Sequence, residues 1–143
     1  RVENLTFPLY RPSFLFYLVC TPCTPMFMKI YGYTKEKQGF MEIENTLQAE
    51  QDFVGGLMEC TALTEDIDLI CNEEGWLIGL EPRVVIKESQ TIIAGDCFIC
   101  RHDRQGNFKS IKESALELIN SKVKSISDEM LFRAILLQYF GRE

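Results

Sequence analysis

Histidine is nearly absent from this sequence: His102 is the only one in 143 residues. A site needing two histidines is therefore excluded, and any Ser-His-Asp or Cys-His catalysis must run through that one imidazole. Proline is scarce beyond residue 27. Pro8, Pro12, Pro22 and Pro25 precede that point and Pro82 alone follows it. Long apolar runs are missing too, since the run at 14–20 is far short of the ~18–20 residues that cross a bilayer as a helix. Positive charge is the minority sign: 15 Lys and Arg face 21 Asp and Glu, a net charge of −6. Such a chain repels phosphate backbones and anionic lipid, so neither direct nucleic-acid binding nor membrane binding is expected. A phosphate-binding loop is also lacking. Gly55-Gly56 follows a helical pattern and precedes a strand, the reverse of the Rossmann and P-loop order, and reads as a helix cap.

What is present fits one globular domain. The length suits a single unit, and 46% hydrophobic residues, 25% charged residues and a mean hydropathy of −0.04 are ordinary values. The six cysteines stand at positions 20, 23, 60, 71, 97 and 100. Four of them lie in apolar stretches, where free Cys behaves as a small buried hydrophobe. That usage suits a reducing compartment, so a cytoplasmic protein is expected. Residues 1–27 differ in style from the rest, while Met28 opens Met-Lys-Ile-Tyr, which looks like both a protein start and a first strand. The reading is that translation begins at Met28 or Met26, with 1–27 a non-native or unpacked segment. Leaving off that segment removes Arg1, Arg11 and Glu3, so the remainder is slightly more acidic than the chain.

Alternation predicts strands at 28–33 and 39–43. Asn45 with Gln48 predicts a capping box for a short helix that buries Leu47 and Val54, with Phe53 at its flank and Gly55-Gly56 as its stop. Strands follow at 57–63 and 67–71, the second half-buried. Asn72-Glu73-Glu74-Gly75 forms a turn, and 76–80 returns as a hairpin partner. A short segment covers 83–86. The long strand 91–101 is interrupted at Ala94-Gly95-Asp96 by a bulge or bend. Ser110 and Glu113 predict a second capping box, leading into Ile111, Ala115, Leu118 and Ile119 at helical spacing. A last helix spans 128–140. The expected fold is α+β: a small, mostly antiparallel sheet packed with one short helix after the second strand and two C-terminal helices. The domain is expected over 28–119, with 120–143 a helical extension.

Several of these segments form an ordered signature. It comprises Ile43-Glu44-Asn45-Thr46-Leu47 through Val54-Gly55-Gly56-Leu57-Met58-Glu59, then Leu69 to Gly75, Ile78-Gly79-Leu80, and Ile92 to Ile99. In this order they resemble the family called domain of unknown function 3846, small proteins of phage, conjugative elements and bacteria, mainly Gram-positive. The likeness covers roughly 28–119 and departs after Gly79-Leu80, where relatives tend to read Pro-Pro-Asn-Arg and this chain reads Glu81-Pro82-Arg83. The resemblance implies an intracellular, mobile-element setting and carries over no catalytic residue.

Two CxxC pairs, Cys20/Cys23 and Cys97/Cys100, invite a zinc reading. Strand residues i and i+3 face opposite sides, however, so Cys97 and Cys100 cannot share a metal. His102 follows a strand and precedes Asp103 and a turn, the setting of an exposed surface residue. Glu65, Asp66 and Asp68 read as a solvated acidic set. No catalytic residue, metal site or cofactor is expected. The candidate recognition loop is Asn72, Glu73, Glu74 and Gly75, because signature residues in a loop are less readily explained by packing. The last helix is apolar nearly all round, and Met130, Leu131, Ile135 and Tyr139 are candidate interaction residues for a core, a protein partner or a homodimer. The expected function is a non-enzymatic, protein-binding accessory module of a phage or mobile genetic element. One alternative is a small ligand-binding domain or enzyme whose site is assembled by the fold. Another is an acidic DNA mimic of the antirestriction kind, for which the net charge is modest.

Overall fold

The computed structural model describes residues 26–126 together with Arg133, Leu136 and Leu137. Alternating side chains make β1 (Phe27–Tyr33) and β2 (Gln38–Glu44) an antiparallel hairpin, in register from Phe27↔Glu44 to Tyr33↔Gln38. Helix α1 (Leu47–Val54) follows, then β3 (Met58–Ala62) and β4 (Ile67–Asn72). Next come β5 (Pro82–Ile86), β6 (Thr91–Ala94), β7 (Cys97–His102) and the two-residue β8 (Phe108–Lys109). A 3-10 turn at Glu113–Ala115 leads into α2 (Leu116–Lys122), and β9 (Val123–Ser125) ends this part of the chain. The larger sheet runs β2-β1-β7-β4-β3, with β8 also on β7; the smaller runs β6-β5-β9. Every pairing is antiparallel. The α+β, mostly antiparallel expectation holds at that level.

The larger sheet lies between two covers. On one face Met28, Ile30, Ile70, Phe98 and Cys100 pack with Val54 and Phe53 of α1. On the other, Tyr31, Leu69, Cys97 and Ile99 pack against Val84, Ile86 and Ile93 of the smaller sheet and Ile119 of α2. Strand β4 is consequently buried along its whole length, not half-buried as its alternation suggests. Cys97 and Cys100 lie in these two separate clusters, on opposite faces.

The helix arrangement differs from expectation for local reasons. Thr46 caps α1, its Oγ1 accepting the Ala49 N–H at 3.1 Å, while the Asn45 amide donates to the Phe108 carbonyl instead. Gly55 does close the helix, with φ 83°. Ser110 and Glu113 build no capping box. β1 extends beyond its pairing with β7, so the free Lys29 N–H bonds Ser110 Oγ at 2.9 Å and the Lys29 ammonium bonds Glu113 at 2.8 Å. Helix α2 runs on to Lys122 and residues 123–125 then form β9 against β5, so part of the expected helical extension belongs to the sheet. The interrupted strand 91–101 is two strands in different sheets. Gly95, at φ 90°, makes the crossing, and its N–H bonds the Glu81 carbonyl.

Candidate functional site

The predicted recognition loop divides into two pairs. Asn72 ends β4 and is buried; its amide donates to the Val54 carbonyl at 3.0 Å and its Oδ1 accepts the Glu74 N–H at 2.7 Å. It ties the last turn of α1 to the turn after β4. Gly75 is also buried, and a Cβ there would stand 2.6 Å from the Ala94 carbonyl oxygen. Packing explains both residues. Glu73 and Glu74 are exposed.

Beyond them the expected strand 76–80 is instead a run of turns. The N–H groups of Ile78, Gly79 and Leu80 donate back to the carbonyls of Glu74, Trp76 and Gly75, and the Trp76 indole donates to the Ile92 carbonyl at 3.0 Å. A backbone fixed in this way turns two apolar side chains outward: Leu77 is 84% exposed and Ile78 55%. Leu57, whose carbonyl accepts the Glu73 N–H, is 61% exposed at the same end of the sheet. A groove of about 350 Å³ runs alongside, with Glu59 and Cys71 on one wall and 90–94 on the other.

Sheet register assembles a second site. Because Ile67 faces Arg101 and Asp68 faces Cys100, His102 is the diagonal neighbour of Asp68 on the face toward α1. His102 Nδ1 lies 2.6 Å from Asp68 Oδ2, and the His102 N–H bonds the Asp66 carbonyl. A carboxylate only accepts, so Nδ1 is the donor in this bond. This corrects two expectations: His102 is half-buried and bonded, and Asp68 is buried rather than solvated. His102 lines a broad depression of about 800 Å³ with Glu65, Asp66, Asp103 and Arg104. Hydrogen bonds from the backbone N–H groups of Asn107 and Gln105 hold the Asp103 carboxyl below its ordinary range. The pair lies toward the opposite end of β4 from Glu73, about 17 Å away at the rise of an extended strand.

The inward face of α1 holds a third group. Glu50, not Leu47, joins Val54 there, while Leu47 is largely exposed at the first turn. Burial pushes the Glu50 carboxyl up from its ordinary value. Burial also raises the thiols, Cys71 to about 11 and Cys97 and Cys100 further. Among the described residues no three His, Cys, Asp or Glu side chains converge as metal ligands, and no helix is long and apolar enough to cross a membrane. Met130, Leu131, Ile135 and Tyr139 lie outside the described residues; Arg133, Leu136 and Leu137 of the expected last helix are helical and exposed.

No curated protein and no solved structure matches this chain. A family described as a domain of unknown function (DUF3846) matches residues 28–124. That stretch takes in both sheets, both helices and the loop, dyad and buried carboxylate just described. Running from the opening of β1 into β9, the match covers well over half of the sequence, and the chain belongs to the domain of unknown function 3846 family.

Proposed function

We propose that this domain acts by binding a protein, without catalysis of its own, and that the end of the sheet formed by Leu57 and the 73–80 loop is its contact surface. The observation that carries the reading is Leu77, 84% exposed on a loop whose backbone is held by its own turns and by Trp76. Burying a leucine on a partner yields about 1.5–3 kcal/mol. A loop already ordered loses little further entropy in doing so. Glu73 and Glu74 beside it favour a partner whose apolar pocket is edged by Lys or Arg. Leu137, exposed on the last helix, supports a further contact there, with that partner or with a second copy. The setting in a phage or mobile element, in the bacterial cytoplasm, rests on the family resemblance.

The test is affinity enrichment from the source cells with the wild type and Leu77→Asp side by side. The exposed substitution leaves the circular dichroism unchanged and abolishes capture of the specific partner. Capture at equal yield by the variant would remove this surface from the reading.

A second reading, proton transfer in a small enzyme, is favoured by the 2.6 Å His102–Asp68 bond at the edge of a depression. It expects a hydrolase or transferase screen to find turnover that His102→Ala abolishes. A screen without turnover, or turnover unchanged by the substitution, rejects it.

A further inference from the structure

Glu50 stands at the inward position of the first full turn of α1, 5% exposed, and its carboxylate has no hydrogen-bond or ion-pair partner among the described residues. The enclosed side-chain atoms without a partner among the described residues belong to Tyr33 and Arg83, so the Glu50 oxygens are reached from outside rather than sealed in. Glu50 is also a wall of a depression of about 470 Å³ between α1, the start of β3 and the β7–β8 hairpin. Leu47, Met58 and Phe108 supply apolar surface around it, and the Asn45 amide fixes the Phe108 backbone by donating to its carbonyl.

The electrostatics of this end of the sheet run one way. Burial is the main cause that raises the thiols of Cys60 and Cys100, and the charges of Asp68 and Glu50 add to it, so two mostly buried carboxylates act on the same small region. The cation at the rim, Lys109, has its ammonium 3.8 Å from Asp103, not on Glu50. A largely buried carboxylate on the wall of an open depression that also carries Leu47, Met58 and Phe108 matches an ammonium or guanidinium group on an aliphatic stem. The stem would lie along Leu47 and Met58 with its charge at Glu50, and Phe108 adds apolar surface to the same wall.

From this geometry we infer that the depression at Glu50 is a binding site for an amine or guanidine carried on an apolar stem. The site adjoins the proposed contact surface: Glu50 lies about 6 Å by helical rise from the end of α1, and Met58 pairs with Asn72 and follows Leu57. The two are told apart by substitution, since Leu77→Asp leaves the Glu50 depression intact.

The experiment is a titration of the full chain, at millimolar ligand, followed by amide chemical shifts. The probes are agmatine, the blocked tripeptide Gly-Lys-Gly, and its uncharged counterpart with norleucine in place of lysine. Agmatine or the lysine peptide shifts the amides of Gly106, Asn107 and Lys109, and the norleucine peptide does not. A response to agmatine assigns a small-molecule ligand; a response to the lysine peptide alone assigns a side chain of another protein. Glu50→Gln weakens binding at least tenfold while its melting temperature at neutral pH stays equal or rises, because a buried charge has been removed. Phe108→Leu weakens binding a fewfold. Absence of any shift, an equal response to norleucine, or undiminished binding by Glu50→Gln overturns the inference.

Discussion

Phe98→Ala is expected to lower the free energy of unfolding by about 3–5 kcal/mol, the usual loss for a fully buried aromatic ring. Phe98 faces Ile70 on β4 and Gly32 on β1, has no exposed surface, and meets the ring of Phe53 on α1 edge-on, with centroids 5.3 Å apart. Gly32 is small for the same contact, since a Cβ there would come within 2.8 Å of the Met41 sulfur and 3.0 Å of Phe53. Glycine on β1 thus lets the ring of α1 descend, and Phe98 fills the space it reaches. Alanine leaves a void that neither the sheet nor an eight-residue helix can close. Urea denaturation followed by circular dichroism measures the loss, and Phe98→Leu should lose markedly less. A loss below about 1 kcal/mol for alanine would mean that α1 is not seated on this residue.

The strands near Phe98 are legible in the sequence because their information is local. Met28, Ile30 and Tyr31, Tyr33 alternate between two faces, and the same rule separates Cys97 from Cys100. The end of α1 is legible too, since Gly55 takes the left-handed conformation there. Sheet membership is not local. Thr91–Ala94 and Cys97–His102 read as one strand, yet Gly95 sends them to different sheets, and only their distant partners decide which. β9 has three residues, too few for a period, and exists because β5 offers it an edge. The capping boxes mislead for the same reason. Asn45 and Ser110 carry capping chemistry, but the Asn45 amide donates to the Phe108 carbonyl and the Ser110 hydroxyl accepts the Lys29 N–H, partners far along the chain. The candidate sites follow suit. His102 and Asp68 are 34 residues apart and meet through register. Glu50 is buried because its turn of α1 faces the sheet, although Leu47 is the more apolar residue. The outward Leu77 depends on turns whose hydrogen bonds no alternation pattern encodes.

Asn72→Ala is expected to cost about 2–4 kcal/mol, and it separates scaffold from contact surface within the 72–75 loop. Leaving the buried Val54 carbonyl at the end of α1 unsatisfied costs about 1–3 kcal/mol, and the part-buried Glu74 N–H in the turn loses its acceptor as well. The amide also lies 3.1 Å from where a Cβ on Gly56 would stand, so helix end and turn close around it. Losing it frees both at once. The Glu73→Lys and Glu74→Lys substitutions touch exposed side chains and should change stability by no more than about 0.5 kcal/mol. If the loop is a rigid platform, Asn72→Ala lowers both the melting temperature and partner capture, whereas the charge reversals lower capture alone. Loss of capture with Asn72→Ala at unchanged melting temperature would instead make Asn72 a direct contact. Its burial against the carbonyl of Val54 argues that the platform outcome will be observed.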